Sequence, residues 1–112
     1  MATYVLLTKI SPQAVKEPRS IEELGKRVSE KIKTHCPEVN WVASYAVLGP
    51  YDYLDIFEAP DDSAATKVSV LIRSFGHATT ETRPATPWNG FLELVRGVRA
   101  YAPARKRKTR KR

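Results

Sequence analysis

A two-residue break, Gly49-Pro50, constrains the fold of this chain more than any other feature. An apolar segment lies on each side of it, at 39–48 and at 51–59, and both segments are rich in β-branched and aromatic residues. Because so short a break leaves no room for a helix, the two segments are predicted to pair as an antiparallel hairpin. With a two-residue loop, Asp55 of the second strand lies opposite Ser44 of the first.

Two more strands and three helices are predicted around this hairpin. Residues 3–10 form the first strand, and 77–83 form a polar edge strand that ends at Pro84. The first main helix begins at Ser20, which forms a capping box with Glu23, and stops before Pro37. Asp61 caps the second helix, Gly76 is its C-cap, and a last helix covers 87–101.

The resulting order, β-α-β-β-α-β plus a terminal helix, predicts an α+β fold with a ferredoxin-like antiparallel sheet and two helices on one face. Trp41, Ala43 and Tyr45 are expected on one face of their strand, with Val42 and Ser44 on the other. Neither face is polar enough to be fully exposed to solvent, so another element or subunit is expected to cover the face without helices. We expect a homodimer, or a higher homo-oligomer, whose sheets pack together; the terminal helix folding over that face is the alternative.

The positive charge of the chain is concentrated at its C-terminus. The net charge is +7, and seven basic residues lie in the last eight positions, so the remainder carries 12 basic and 12 acidic residues. We expect a folded domain over 1–102 and a disordered polybasic tail over 103–112. The tail could bind nucleic acid non-specifically, bind an anionic membrane, or serve as a solubilising extension. Its candidate anion-binding residues are Arg105, Lys106, Arg107, Lys108, Arg110, Lys111 and Arg112.

Cysteine content and hydropathy bear on the compartment. Cys36 is the single cysteine, so no intrachain disulfide can form, as is typical of reducing compartments. The apolar run after Met1 is too short for a signal peptide, and no segment has the length of a membrane span. These observations predict a cytoplasmic protein without a membrane span.

Few residues are candidates for chemistry. Tyr51 and Asp52 follow the hairpin break; they either shape the turn or line a pocket mouth, where a phenol and a carboxylate could orient a ligand or move a proton. Asp55 lies in the middle of a strand, where a carboxylate is unfavourable unless it is paired or hydrated. It could pair with Lys9 or Arg83, or form a polar spot of raised pKa in an interfacial cavity.

The histidines do not predict a metal site. Cys36 continues the apolar stripe of its helix and is expected to be a core residue, so His35 beside it lacks ligands at suitable spacing. His77 has no partner at ligand spacing either. Nothing in the sequence indicates a cofactor, a phosphate-binding glycine loop or a catalytic triad.

Several motifs resemble those of the GYD family, small proteins named for a Gly-x-Tyr-Asp sequence. Gly49, Tyr51 and Asp52 carry that motif, and further similarity lies at 4–7, 11–13, 56–61 and 80–83. The resemblance covers roughly residues 2–86, and the family is similar to the dimeric α/β-barrel group. It implies a dimer of ferredoxin-like subunits, and it transfers no established activity.

Three functions remain open from the sequence. The first is a non-enzymatic homodimer that binds a small ligand or serves assembly. The second is a cofactor-independent enzyme similar to monooxygenases of the dimeric α/β-barrel group, with Tyr51, Asp52, Asp55 and His77 as the candidate polar residues. The third is non-specific nucleic-acid binding through the tail. A cavity between sheet and helices, lined by Asp55 and tyrosines, would favour the enzyme over the first function.

Overall fold

The element order matches the predicted one throughout the part of the chain that the computed structural model describes, residues 1–12, 18–76 and 78–101. The elements are β1 (Ala2–Ile10), α1 (Pro18–His35), β2 (Asn40–Ala46), β3 (Tyr53–Ala59), α2 (Asp62–Arg73), β4 (Ala78–Ala85) and α3 (Trp88–Tyr101). The strands form one antiparallel sheet in the order β2-β3-β1-β4, which is the ferredoxin-like arrangement. The α+β class is therefore confirmed.

The register of the central hairpin also agrees with the sequence. Ser44 pairs with Asp55, and the Val47 amide donates to the Asp52 carbonyl at 3.0 Å. β1 lies between β3 and β4, and its Leu6 pairs with Asp55 of β3 and with Thr82 of β4. Asp55 therefore lies at the centre of the sheet.

A bulge in β2 changes which side chains share a face. Trp41 pairs with Phe57 and Ala43 with Ile56, so Val42 is an extra residue with no counterpart in β3. The prediction that Trp41, Ala43 and Tyr45 share a face is wrong, because strict alternation does not hold across a bulge. Trp41 instead shares a face with Ser44, toward the helices.

The core lies between the sheet and the two helices that pack on one of its faces. Phe57 is at its centre and stacks on Tyr4 and Trp41, with ring centroids 5.5 and 5.2 Å away. The sheet contributes Tyr4, Leu6, Phe57 and Ala59 to the buried cluster, and the helical side contributes Ile32, Cys36, Ala64, Ala65, Val68 and Ile72. The assignment of Cys36 to the core is confirmed by its 1% exposure.

Two helix boundaries differ from those predicted. α1 begins at Pro18, so Ser20 lies inside the helix instead of capping it. Proline is tolerated in a first turn, where its missing N–H has no helical partner. In α2 the Asp61 cap is confirmed, because its carboxylate accepts the Ala64 N–H at 2.9 Å. The C-cap is Ser74, and Gly76 follows two residues later at a φ of 81°.

The edge strand β4 runs past its proline. Pairing with β1 continues through Pro84 to Ala85, which lies opposite Thr3. The prediction that Pro84 ends the ladder is wrong, because β4 pairs on only one side and an edge strand can place a residue without an N–H toward solvent. The predicted edge position of β4 is confirmed.

One face of the sheet, called here the open face, carries no helix. Its apolar side chains alternate with those that point to the helices, and those nearest its centre are half-buried. The half-buried ones are Val5, Leu7, Ala43, Leu54 and Ile56, and Tyr45 on the edge strand β2 is 57% exposed. α3 does not cover this face, since it makes no extensive contact with any other element and the molecule measures 63 × 30 × 18 Å.

Candidate functional site

A cavity of about 420 Å³ lies between α1 and the helix-bearing face of the sheet. Its roof is the apolar stripe of α1, and Phe75 and Ile72 line one side. The floor combines apolar and polar side chains of three strands, Thr8, Trp41, Ser44, Tyr53 and Asp55. Volumes of this size are typical of small-ligand sites, which are largely apolar with a few polar groups.

Gly25 makes room for this cavity. It lies on the apolar stripe of α1 between Leu24 and Val28, and a Cβ placed on it would meet no atom within 4 Å. A glycine in a helix interior lowers helix stability by roughly 0.5–1 kcal/mol relative to alanine. At this position the missing side chain leaves open space in the α1 wall of the cavity.

Asp55 is the carboxylate of the cavity floor. The Trp41 Nε1–H points at two acceptors, the Ser44 hydroxyl oxygen at 2.9 Å and Asp55 Oδ1 at 3.4 Å. Burial raises the pKa of Asp55, while hydrogen bonds from Ser44 and Trp41 act in the opposite direction. A carboxylate offers about four acceptor positions, so this one retains capacity for a ligand donor.

The bulge in β2 produces this arrangement. Without the extra Val42, Trp41 and Ser44 would lie on opposite faces, because they are three residues apart. The bulge turns both toward Asp55. Neither Lys9 nor Arg83 reaches that carboxylate, since both alternate onto the open face, and Asp55 faces α1 instead of a partner subunit.

Tyr51 and Asp52 lie outside the cavity. The Tyr51 hydroxyl donates to the Glu81 carboxylate, which raises the pKa of Tyr51 and lowers that of Glu81. Arg83 also donates to Glu81, so the three side chains form a polar cluster at the open face. His77 lies outside the described residues, as does the whole tail from Arg105 to Arg112.

The Gly-x-Tyr-Asp turn connects the hairpin to the neighbouring strand. Gly49 has a φ of 113°, a conformation that favours glycine. The Asp52 amide donates to the Thr8 carbonyl at 2.8 Å, and the Asp52 carboxylate accepts the Ile10 N–H, also at 2.8 Å. These two hydrogen bonds of Asp52 connect the turn to the end of β1, which carries part of the cavity floor.

Sequence reasoning did not identify the full floor of the cavity. An aromatic pocket of Trp41, Tyr45, Trp88 and Phe91 was considered beside simple packing, but the contact of Trp41 with Asp55 was not predicted, and Ser44 was considered only as the residue opposite Asp55. The single available signal for the open space was Gly25 in an otherwise apolar stripe. Among the described residues, no group of histidine, cysteine and carboxylate side chains could hold a metal ion. Within the same ranges, no helix combines the length and hydropathy needed to cross a bilayer.

Comparison with known proteins places the chain in a family. Residues 4–95 match the sequence pattern of the GYD domain. The chain belongs to the GYD domain family. The match includes the Gly-x-Tyr-Asp turn, most of β1, the other three strands and the first half of α3. The resemblance noted at 2–86 is thus confirmed, and the GYD domain extends into the terminal helix.

One named protein and two solved structures are among those to which this GYD protein is similar. A Thermus thermophilus protein named glutamine synthetase and cystathionine beta-lyase binding protein is 31% identical over 91 residues, covering 78% of this chain and 90% of that protein. The crystal structure of FFRP-DM1 is 25% identical with a TM-score of 0.50, covering 77% of this chain and 100% of its own. An Arabidopsis thaliana protein, At3g17210, shares the fold at 16% identity with a TM-score of 0.51, covering 78% and 95% respectively.

Proposed function

We propose that this GYD protein is a homodimeric module that binds a small ligand in the cavity between α1 and the sheet. The observation that carries the proposal is an apolar volume of about 420 Å³ with the Asp55 carboxyl on its floor. A gap of this size would be unfavourable if it served packing alone, because protein interiors are close-packed. A ligand would fill it and restore those contacts.

The chemistry of the walls defines the ligand class. An apolar body fits beneath Leu24, Val28 and Ile32, and one donor group, an amine or a hydroxyl, fits against Asp55. Trp41 and Tyr53 add aromatic surface beside the carboxylate, which suits a cationic donor. Lys33 of α1 also lines the cavity, so an anionic group of the ligand fits on the α1 side, away from Asp55.

The dimer part of the proposal is based on the open face. Val5, Leu7, Leu54 and Ile56 form a continuous apolar centre there, flanked by the Tyr51–Glu81–Arg83 cluster. A second copy offers the same surface in a two-fold arrangement, so one apolar face covers the other. The cavities then lie on the outer sides of the paired sheets, where ligand can enter beneath α1.

The relative from Thermus gives a second role for the same module. Its name states that it binds two enzymes, and this chain covers 90% of its length at 31% identity. We propose that the module also associates with enzymes, and that binding of a metabolite in the cavity changes this association. Such coupling requires the ligand to have different affinities for the free and the enzyme-bound module.

Native mass spectrometry of the purified full chain tests the ligand and the dimer together. The expected result is a dimer carrying a co-purified small molecule, which is lost in Gly25→Leu because the new side chain projects into the cavity. Gly97→Leu is the matched control, since Gly97 is a helical glycine that also has open space around it but lies in α3. A bare monomer, or ligand retention in Gly25→Leu, would overturn the proposal.

A second candidate is a cofactor-independent monooxygenase, the function that a cavity lined by Asp55 and tyrosines was expected to favour, and Asp55 and Tyr53 do lie on one cavity floor. The binding module comes first because Tyr51 and Asp52, two of the four polar residues named for the enzyme, do not line the cavity. Asp55 would remove a proton from a phenolic substrate, and burial raises the pKa of Tyr53, which keeps that hydroxyl protonated as a donor. Oxygen uptake with a panel of small phenols measures this activity. Uptake that Asp55→Asn abolishes supports the enzyme, and binding without uptake supports the binding module.

A further inference from the structure

One side of α3 is apolar and uncovered. Five residues at helical spacing form this side, called here the α3 stripe: Trp88, Phe91, Leu94, Val95 and Val98. Their exposed fractions are 38–68%. Among the described residues, α3 makes no extensive contact with any other element. A continuous apolar surface on a helix that packs on no neighbour indicates a site of interaction.

The rest of the α3 surface is polar. Asn89, Glu93 and Arg96 lie on the side away from the α3 stripe, and Glu93 pairs with Arg96 at 3.1 Å on the surface. Arg99 follows Val95 by one turn at the border of the stripe, where a long side chain can keep its charged end in water. A helix with aromatic and aliphatic residues on one side and charged residues on the other is typical of helices that lie in the plane of a membrane interface.

The chain after Glu93 is strongly basic and contains no acidic residue. Arg96 and Arg99 are followed by the seven basic residues of the last eight positions, which begin at Arg105, four positions after α3 ends at Tyr101. Four residues span at most roughly 14 Å. The basic run therefore begins beside any surface on which α3 lies, and clusters of this kind are attracted by anionic lipid headgroups.

We propose that α3 lies on an anionic membrane surface, with the α3 stripe among the upper acyl chains and the basic run on the lipid headgroups. α3 has 14 residues and is about 21 Å long, and its apolar side would enter the interface by about 5–10 Å. One attachment signal gives only marginal membrane binding, whereas two signals acting together anchor a protein. The proposal requires neither the cavity ligand nor the dimer.

Charge and apolar surface together favour a lipid surface over the other occupants. Duplex nucleic acid offers phosphates to the basic run but no continuous apolar surface to Trp88, Phe91 and Leu94. A second copy of this chain offers apolar surface, but its own basic run repels that of the first copy. An anionic bilayer offers negative charge and an apolar interior side by side, which matches the succession of α3 and the basic run.

Sedimentation of the full chain with lipid vesicles tests the attachment. Vesicles of mixed phosphatidylserine and phosphatidylcholine are compared with vesicles of phosphatidylcholine alone. We expect binding to the mixed vesicles that weakens as salt is added, and much weaker binding to the uncharged ones, because the basic run needs anionic headgroups. Absence of binding to the mixed vesicles, or equal binding to both kinds, overturns the proposal.

Variants separate the two signals. Leu94→Asp should lower binding to the mixed vesicles at least about tenfold, because it places a charge among acyl chains. Deletion of 104–112 should lower it at least about tenfold as well. Val70→Asp is the matched control, since Val70 is 52% exposed and Leu94 62%, but Val70 lies on α2. Thermal unfolding verifies that both substituted chains remain folded. Wild-type binding in Leu94→Asp or in the deletion, or an equal loss in Val70→Asp, overturns the proposal.

Fluorescence quenching determines whether the α3 stripe enters the lipid. The chain has two tryptophans, Trp88 in the stripe and Trp41 on the cavity floor. Vesicles of the same composition that carry bromine on the upper acyl chains should quench the wild-type protein, and Trp88→Phe should lose this quenching while Trp41 remains. Equal quenching in both proteins, or none in protein bound to the vesicles, overturns the proposal.

Two measurements without lipid distinguish the other occupants. Leu94→Asp should leave the affinity for a labelled DNA duplex unchanged, because the basic run reaches phosphates without α3. An equal loss of affinity for DNA and for vesicles overturns the lipid assignment. The oligomeric state of Leu94→Asp in sedimentation velocity should equal that of wild type. A change in that state would assign the α3 stripe to a contact between copies and overturn the proposal.

Discussion

The Asp52 carboxylate accepts the backbone N–H of Ile10 at 2.8 Å, which joins the central turn to the end of β1. The same residue's amide donates back to the Thr8 carbonyl. The aspartate of the Gly-x-Tyr-Asp motif is thus a link between strands and lies apart from the cavity lining. Thr8 and Ile10 both line the cavity, so this link also positions part of its wall.

Replacing Asp52 should weaken that link in a graded way. Asp52→Ala removes the acceptor for the Ile10 N–H and is expected to lower the free energy of unfolding by about 1 kcal/mol. Asp52→Asn keeps an acceptor oxygen and should lose less. Urea denaturation measures both values; equal losses in the two variants would show that the negative charge, and not the acceptor, is the stabilising feature.

Gly25→Ala should stabilise the protein. Alanine adds one methyl group into open space and removes the backbone entropy that glycine loses in a helix, so we expect a gain of roughly 0.5–1 kcal/mol. Gly97→Ala should give a similar gain, because its surroundings are open as well. Thermal unfolding of both variants checks this; destabilisation by Gly25→Ala alone would contradict the open space beneath α1.

Much of the fold follows from local signals in the sequence. The two-residue break at Gly49-Pro50 sets the register that places Ser44 opposite Asp55, and Asp61 caps α2 as its position indicates. Two features were not predictable in this way. The bulge at Val42 accompanies the stacking of Trp41 on Phe57, a contact between strands that local sequence does not indicate, and Pro84 is tolerated because β4 has a neighbour on only one side.

The candidate site was less predictable than the fold. Asp55 could be identified because a carboxylate in the middle of an apolar strand is unfavourable without a partner. Its neighbours Trp41 and Ser44 could not be placed, since strict alternation separates them onto two faces. The cavity itself arises from the distance between α1 and the sheet, and the hydrophobic pattern of α1 does not encode that distance.

The stability of the protein should depend on pH through Asp55. Burial raises its folded pKa above the ordinary value of 3.8, so the folded state binds the proton more tightly than the unfolded state does. Stability contributed by this group is therefore present below pH 3.8 and is lost as the pH rises through the raised pKa. Asp55→Asn should be at least as stable as wild type at pH 7, and the difference in free energy of unfolding between the two proteins should become smaller at acidic pH.

Thermal unfolding from pH 3 to pH 8 measures that difference. Lys33 and Tyr53 also line the cavity, and both are unchanged in the variant, so the comparison isolates the Asp55 carboxyl. Ser44→Ala is a useful second variant, because it removes a hydrogen bond that favours the charged form of Asp55. Ser44→Ala should therefore lose more stability than wild type does between acidic and neutral pH. Lower stability of Asp55→Asn at pH 7 would contradict the assigned effect of burial.

The polybasic tail gives a prediction that is independent of the cavity. Seven Lys and Arg residues lie between Arg105 and Arg112, and the rest of the chain carries equal numbers of basic and acidic residues. Binding to DNA or RNA of unrelated sequence should therefore weaken steeply with salt, with a slope of log K against log salt of up to about −5 to −6 if every tail charge meets a phosphate. Deletion of 104–112 should abolish it. Fluorescence anisotropy of a labelled oligonucleotide at several salt concentrations measures the slope, and an affinity that survives the deletion would assign nucleic-acid binding to the folded domain instead.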